Sequence, residues 1–253
     1  MSIATIAAHE GRHVVTCDIG VAYLNASMPS NKRVLMKLSR DYAEILCWLK
    51  PEYRSFLCDD GTMIVHITKA LYDCIESAKL WYENFAKTLT DDGFIPNPKD
   101  LCVFNKQVDG NQITICVHVD DLLVTSVNAE AIEAVISLLQ QKYKDLVVNR
   151  GAVHHYLGMV FHFTVKGKCK ITMPLFITET VRKSGVTGVA ASPATENLFV
   201  VREETRKLNE QESERFHSLV ASLQYLAKRV RPDILCPVVF LSTRVISSDV
   251  DDL

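Results

Sequence analysis

Two adjacent aspartates, Asp120 and Asp121, interrupt a strongly apolar run over residues 113–126. Neighbouring carboxylates repel each other and aspartate is a poor strand former, so the pair opposes the strands that its flanks favour. A solvated hairpin tip, where aspartate is common, is one explanation. The other is a divalent cation, which compensates for carboxylates placed against apolar strands. The flanks contain no glycine, asparagine or proline, and this favours the cation.

A third aspartate, Asp18, has similar surroundings because it ends the apolar segment 13–18. Taken alone, it is explained as a strand end or a helix cap. Together with the pair, it gives three carboxylates at the ends of apolar strands. Two cations about 3.5–4 Å apart require such hard oxygen ligands in a phosphoryl-transfer site. The residues therefore predict a two-metal centre.

The composition is that of an ordinary globular protein, with 48% hydrophobic and 23% charged residues among 253. A formal net charge of −2 argues mildly against a dedicated nucleic-acid-binding protein. The eight cysteines show no Cys-x-x-Cys spacing, so we expect reduced thiols in an intracellular protein. We find no secretion signal and no apolar run long enough to cross a bilayer.

Hydrophobic periodicity predicts a mixed α/β part followed by a helical part. The predicted strands cover 14–18, 34–38, 63–67, 103–106, 112–119, 122–125, 156–165 and 170–173. The predicted helices cover 77–92, a segment capped by Asn128, and then 174–184, 209–228 and 233–245. The change of pattern near residue 170 predicts a domain boundary, which we place between residues 168 and 169.

Five segments resemble sequence blocks of one protein family, and they follow each other along the chain in the same order as in that family. They are Asp-Ile-Gly-Val-Ala-Tyr-Leu-Asn-Ala from Asp18, residues 69–82, Val-His-Val-Asp-Asp-Leu-Leu from Val117, Tyr-Leu-Gly-Met from Tyr156, and residues 216–227 followed by Arg-Pro-Asp-Ile. These segments resemble blocks of the reverse transcriptases of copia-type LTR retrotransposons. The resemblance extends over most of the chain, from about residue 5 to residue 245.

The resemblance implies an α+β right-hand polymerase. Residues 1–168 would form a palm, with an antiparallel sheet and helices on one face, and the remaining part of the fingers. Residues 169–253 would form a helical thumb and the start of a connection. The implied activity is RNA-directed DNA polymerisation by two-metal nucleotidyl transfer to a primer 3′-hydroxyl. Asp18, Asp120 and Asp121 would be catalytic, and with the Ile19 carbonyl they would bind two Mg²⁺ or Mn²⁺ ions.

The resemblance also implies nucleotide and primer contacts. Tyr23 matches a steric gate that excludes ribonucleotides, while Tyr72 and Lys69 belong to the block beside the incoming nucleotide. Without the motifs, a core aromatic is the preferred explanation of Tyr23, while a solvated end explains Lys69 equally well. The implied primer contacts are His118, where the family most often has tyrosine, Leu157, Gly158 and Met159. Asp73 stands where the family has glycine, which is a poorer fit if that position needs a positive φ.

Family members carry a longer segment before the first motif, with basic fingers residues, and an RNase H domain after the last. Two function classes therefore stay open. The chain is either a polymerase domain that is active within a longer polyprotein, or an inert fragment that acts at most as a binding module. The implied partners are an RNA or DNA template with primer, deoxynucleoside triphosphates, and a polyprotein with integrase upstream and RNase H downstream. We expect no membrane association, and a cytoplasmic (virus-like particle) or nuclear location.

Overall fold

The computed structural model describes residues 1–202 and 204–252. It divides into two compact units. The first unit contains Met1–Leu157 and Phe163–Cys169, and the second contains Gly158–His162 and the chain from Lys170 onward. In the described residues no helix is both long and apolar enough to span a membrane. All eight cysteines are free.

The first unit contains nine strands and four longer helices within its described residues. The strands are β1 (His13–Ile19), β2 (Leu35–Leu38), β3 (Met63–His66), β4 (Ile95–Asn97), β5 (Asp100–Val108), β6 (Asn111–His118), β7 (Asp121–Ser126), β8 (Leu146–Asn149) and β9 (Val153–Tyr156). The helices are α1 (Ser2–Glu10), α2 (Arg40–Leu49), α3 (Ser77–Asp91) and α4 (Ala129–Lys142). Six strands form one sheet in the order β4-β5-β6-β7-β1-β8, and every neighbouring pair in it is antiparallel. The mixed architecture with an antiparallel sheet agrees with the predicted fold class.

One face of this sheet is covered by α3 and α4, because both helices present an apolar stripe to it. Phe85 and Leu89 of α3, with Ile136 and Leu139 of α4, are buried in one core with alternate residues of β1, β6 and β7. The predicted cap of α4 is present. The Asn128 side chain accepts hydrogen bonds from the Glu130 and Ala131 amides at 2.9 and 3.2 Å.

The opposite face of the sheet is not free of helices, and the prediction of helices on one face only was wrong on this point. Ile3 and Ile6 of α1 line a cavity together with Thr114 and Thr125, which lie on the face opposite the α3–α4 core. The Arg12 guanidinium, just after α1, donates to the Thr114 hydroxyl at 3.4 Å. Ala4 and Ala7 of α1 are buried.

The second unit pairs two short strands and packs three longer helices. They are β10 (Met159–His162), β11 (Lys170–Thr172), α5 (Pro174–Ser184), α6 (Glu210–Ala227) and α7 (Leu235–Arg244). The predicted capping box of α6 is present, with Asn209 and Glu212 each accepting from the other's amide. The predicted continuous strand 156–165 was wrong: Leu157 and Gly158 have φ of 52° and 73° and separate β9 from β10. The predicted last helix begins as a short 3₁₀ turn at Pro232–Ile234.

Candidate active site

The three predicted aspartates meet at one end of the central sheet. Asp18 near the end of β1 stands directly opposite Asp121, the first residue of β7. Opposite residues of an antiparallel pair have Cα atoms about 4.5–5.5 Å apart. Asp120 lies in the two-residue turn between β6 and β7, and its carbonyl accepts a hydrogen bond from the Ile19 amide at 3.0 Å. About a hundred residues of sequence thus separate side chains that are neighbours in the sheet.

The site is electrostatically unfavourable without a positive partner. Partial desolvation and the carboxylates of Asp120 and Asp145 raise the pKa of Asp18. Desolvation, Asp120 and Asp18 raise the pKa of Asp121, while His118 and the Leu157 backbone act in the opposite direction. Each raised pKa therefore reflects partial burial first and repulsion between the charged carboxylates second.

None of the three predicted aspartates has a basic partner in the part of the chain that the structure describes: no Lys or Arg forms an ion pair with Asp18, Asp120 or Asp121. A positive charge is the group that would relieve their repulsion.

The donor set fits a hard divalent cation in chemistry, because carboxylate oxygens are the ligands that Mg²⁺ and Mn²⁺ prefer. The side chains are not gathered into a finished ligand cluster, however. Within residues 1–202 and 204–252, no group of three or more His, Cys, Asp or Glu side chains is arranged to hold a metal ion. The backbone places Asp18 opposite Asp121 and holds the Asp120 turn beside them.

Sequence reasoning missed a fourth carboxylate, Asp145, which lies just before β8. The Asp145 carbonyl accepts from the Gly20 amide at 2.8 Å, and its side chain crosses over Gly20. A Cβ at Gly20 would lie 2.0 Å from the Asp145 Oδ2 atom, so glycine is required for this approach. The available signal was the same as for Asp18: an acid directly beside an apolar segment, here Leu146 to Val148.

Two tyrosines predicted at the nucleotide site lie against each other. The ring centroids of Tyr23 and Tyr72 are 4.4 Å apart, with the planes tilted by 45°. Desolvation, followed by the charges of Asp120, Tyr23 and Asp18, raises the pKa of Tyr72. Tyr23 is half-buried and lines a cavity with His118. Tyr23 packs against the core, as a core aromatic would, and it also faces open space, as a steric gate would.

Lys69 is exposed, and its ammonium group donates to the Ser27 hydroxyl at 3.3 Å. This position matches the solvated alternative and leaves the charge accessible. The Ile19 side chain is buried and its amide is used by Asp120. The role of the Ile19 carbonyl as a metal ligand stays a prediction.

The four predicted primer contacts fall in both units. His118 is exposed at the end of β6 and pairs with Asp121 across the hairpin. Leu157 belongs to the first unit, while Gly158 and Met159 belong to the second. Each is described only within its own unit, and their shared role at a primer stays a prediction.

The turn that carries Asp120 is strained. Val119 has a φ of 58°, a conformation that a β-branched residue rarely adopts and that costs on the order of 1–3 kcal/mol. In a two-residue hairpin turn with positive φ at its first position, glycine is the usual residue. The surrounding structure therefore has to hold this turn.

Comparisons with known proteins agree with the sequence motifs. The sequence pattern of the family described as "Reverse transcriptase (RNA-dependent DNA polymerase)" matches residues 2–196. The Ty1-NL2 Gag-Pol polyprotein of Saccharomyces cerevisiae is 23% identical over 186 residues, 68% of this chain and 10% of the polyprotein. The putative transposon Ty5-1 protein of the same yeast is 26% identical over 178 residues, again 68% of this chain and 55% of that protein.

The chain thus spans a tenth of one relative and about half of the other. A telomerase structure from Candida albicans, solved with a fragment of telomeric RNA, aligns with 96% of this chain and 46% of that chain, at 10% identity. Its TM-score of 0.36 is too low to indicate a shared fold. The family match covers well over half of the sequence. The chain therefore belongs to the reverse transcriptase (RNA-dependent DNA polymerase) family, in its copia-type retrotransposon branch, as the motifs predicted.

Proposed function

We propose that the first unit carries the polymerase centre, which adds deoxynucleotides to the 3′-hydroxyl of a primer paired to an RNA or DNA template. The observation that carries this proposal is the register of β1 against β7, which sets Asp18 opposite Asp121 beside the Asp120 turn. Three carboxylates without basic partners among the described residues are suited to a cationic cofactor rather than to a structural ion pair.

Asp18, Asp120 and Asp121, with the Ile19 carbonyl, would hold two Mg²⁺ or Mn²⁺ ions. Such ions, when bound, lower the pKa of the attacking hydroxyl and neutralise charge on the phosphates. The contribution of the chain is to hold the carboxylates in place. The register of β1 and β7 fixes two of them, and the bond from the Ile19 amide to the Asp120 carbonyl fixes the third.

Tyr23 and Tyr72 would bind the sugar and base of the incoming nucleotide. Their mutual contact holds the Tyr23 ring, and a fixed ring is needed to exclude a ribose 2′-hydroxyl by steric clash. Lys69 would approach a phosphate, because its charge is accessible in the structure. His118 would contact the primer end from the last position of β6.

We infer that the first unit corresponds to the palm with part of the fingers, and that the helices α5–α7 belong to the thumb and the start of the connection. The partners of the whole protein would be template–primer, deoxynucleoside triphosphates and the rest of a polyprotein, with integrase upstream and RNase H downstream. The similarity to Gag-Pol polyproteins supports this context. A cytoplasmic particle or nuclear location remains part of the proposal.

The test is primer extension on an RNA template with Mg²⁺ or Mn²⁺, comparing wild type with Asp120→Asn and Asp109→Asn. Asp109 is the matched control because it also lies at a hairpin tip of the same sheet, between β5 and β6, where no predicted site residue stands beside it. We expect Asp120→Asn to abolish extension and Asp109→Asn to leave it unchanged.

Extension that survives Asp120→Asn would refute the assignment of the centre. Template–primer binding by the wild type without extension, under conditions where a longer polyprotein extends, would favour the binding-module alternative for this chain. A filter-binding or fluorescence-anisotropy measurement on the same samples separates these two results.

A further inference from the structure

One long-range hydrogen bond from a buried side chain reaches the turn that carries Asp120. The indole N–H of Trp81, in the second turn of α3, donates to the Val119 carbonyl at 2.7 Å. Trp81 is only 2% exposed, and a buried indole N–H needs a partner. This bond joins the helical layer directly to the backbone beside the aspartate pair.

The Trp81 ring is itself held by aromatic neighbours. Its centroid lies 5.6 Å from that of Phe85 and 5.3 Å from that of Tyr143, which meets it edge-on. The Tyr143 hydroxyl is in turn bonded to Thr88 and Asn84, at 3.1 and 3.2 Å. The direction of the indole N–H is therefore set by α3 and by the residue that follows α4.

Packing alone does not fix the turn. A cavity of about 270 Å³ lies beside it, lined by Trp81, Val119, Tyr23 and His118 among others. Val119 is only half-buried and has the strained φ of 58°. Such a conformation persists only where the surroundings over-determine it.

Hydrogen bonds hold the two peptide carbonyls that flank the Cα atom of Asp120, those of Val119 and of Asp120 itself. The carbonyl before Asp120 is bonded by Trp81, and the carbonyl of Asp120 itself is bonded by the Ile19 amide. The second of these bonds comes from β1, which also carries Asp18. The first comes from outside the sheet.

We propose that Trp81 is a positioning residue: its indole N–H holds the Val119 carbonyl and so fixes the strained turn that presents Asp120 to Asp18 and Asp121. The catalytic part of this inference rests on the proposed function, since it concerns the ligand geometry of that site. The structural part, that Trp81 holds the turn, does not depend on polymerase activity.

The test is amide hydrogen exchange of the full chain, with Trp81→Phe compared to Tyr82→Phe. Trp81→Phe keeps an aromatic ring and removes the donor. Tyr82→Phe is the matched control, because Tyr82 lines the same cavity but its hydroxyl donates to the Leu101 carbonyl at 2.9 Å and not to the turn. We expect up to about tenfold faster exchange at residues 119–121 in Trp81→Phe only, and exchange at wild-type rates there would overturn the proposal.

A second pair of variants tests the strain. Val119→Gly removes the penalty for positive φ, so adding Trp81→Phe to it should accelerate exchange at the turn by a smaller factor than in the wild-type background. An equal factor in both backgrounds would show that Trp81 does not act through the strained turn.

Binding of Mn²⁺ alone, measured by titration calorimetry, tests whether the geometry of the turn affects the metal affinity of the proposed aspartate site. We expect weaker Mn²⁺ binding in Trp81→Phe, by several-fold, and unchanged binding in Tyr82→Phe. Wild-type Mn²⁺ binding that Trp81→Phe leaves intact would refute the positioning role. Absence of Mn²⁺ binding in the wild type, matched by Asp120→Asn, would instead count against the proposed metal centre, while hydrogen exchange still decides whether Trp81 holds the turn.

Discussion

Replacing Asp73 by glycine should stabilise the first unit. The Leu71 carbonyl accepts from the Cys74 amide at 3.3 Å, and Asp73, at the third position of this turn, has a φ of 67°. This is the arrangement of a type II turn, in which the third position favours glycine. The structure thus shows a positive φ at the position where the copia-type block has glycine.

The magnitude follows from two opposing terms. A residue with a Cβ pays about 1–2 kcal/mol in the left-handed region, with aspartate toward the low end. Glycine recovers this cost but loses about 0.5–1 kcal/mol more conformational entropy on folding. With aspartate at about 1 kcal/mol, the net gain is about 0–0.5 kcal/mol, or a rise in Tm of at most about 2 °C for a unit of this size.

The assay is urea unfolding followed by tryptophan fluorescence. Trp48 and Trp81, the two tryptophans of the sequence, both belong to the first unit, so the signal reports that unit alone. Asp59→Gly is the matched control: Asp59 is also an exposed turn aspartate of this unit, but it is not among the residues with positive φ. It should lose about 0.5–1 kcal/mol. Asp73→Asn separates charge from backbone and should stay close to wild type.

Opposite signs for Asp73→Gly and Asp59→Gly are the required result. If both glycine variants lose stability, the positive φ at Asp73 carries no cost and the reasoning fails. If Asp73→Asn gains as much as Asp73→Gly, the gain comes from removing a charge and not from the backbone.

Three further predictions concern other parts of the chain. Tyr23→Ala should raise the ribo-to-deoxy ratio of kcat/KM in primer extension, because the ring obstructs only the ribonucleotide; an unchanged ratio would make Tyr23 a core aromatic. Asp249, buried among Arg244 and Lys207, has a pKa that burial raises but that the Lys207 bond and the other contacts lower overall. The ionised Asp249 carboxylate therefore stabilises the folded second unit at neutral pH, and this stabilisation is lost as the pH falls through the pKa of Asp249 in the folded state. Asp249→Asn should cost the second unit about 3 kcal/mol at pH 7 and flatten this acid dependence, measured by amide exchange in α6 and α7. Asn209→Ala should cost about 1 kcal/mol in the same measurement by removing the α6 cap.

Local signals in the sequence were sufficient for α3, α4 and α6, whereas α2 (Arg40–Leu49) was not predicted. The apolar stripe of α3, the Asn128 cap of α4 and the capping box of α6 each lie within a few residues. The predicted bounds of α3 and α6 agree with the structure within one or two positions, and the predicted α4 cap is present. Strands were harder where a turn lies inside an apolar run. In the segment 156–165 the turn after Tyr156 falls among apolar residues, and only Gly158 signalled that β9 and β10 are separate.

Long-range pairing decided what the sequence did not show. Asp18 and Asp121 were grouped by their similar surroundings, and strand pairing then placed them opposite each other. Asp145 went unnoticed because its proximity to Asp18 depends on the pairing of β8 with β1 and on the space above Gly20. Neither feature can be read from the residues around Asp145. The position of α1 on the opposite face of the sheet has the same kind of origin.

Backbone strain gives an argument for the site that does not depend on any motif. The non-glycine residues with positive φ in the described chain are Val21, Asp73, Asp109, Val119 and Leu157. Asp109 adopts the conformation that an Asp-Gly hairpin turn requires. Each of the other four is a predicted site residue or lies within two residues of one. Local propensity opposes positive φ most strongly at the two valines, and a fold keeps such conformations where a functional arrangement needs them. Unfavourable backbone conformations therefore lie mainly beside the predicted site residues, and this is consistent with the proposed polymerase centre.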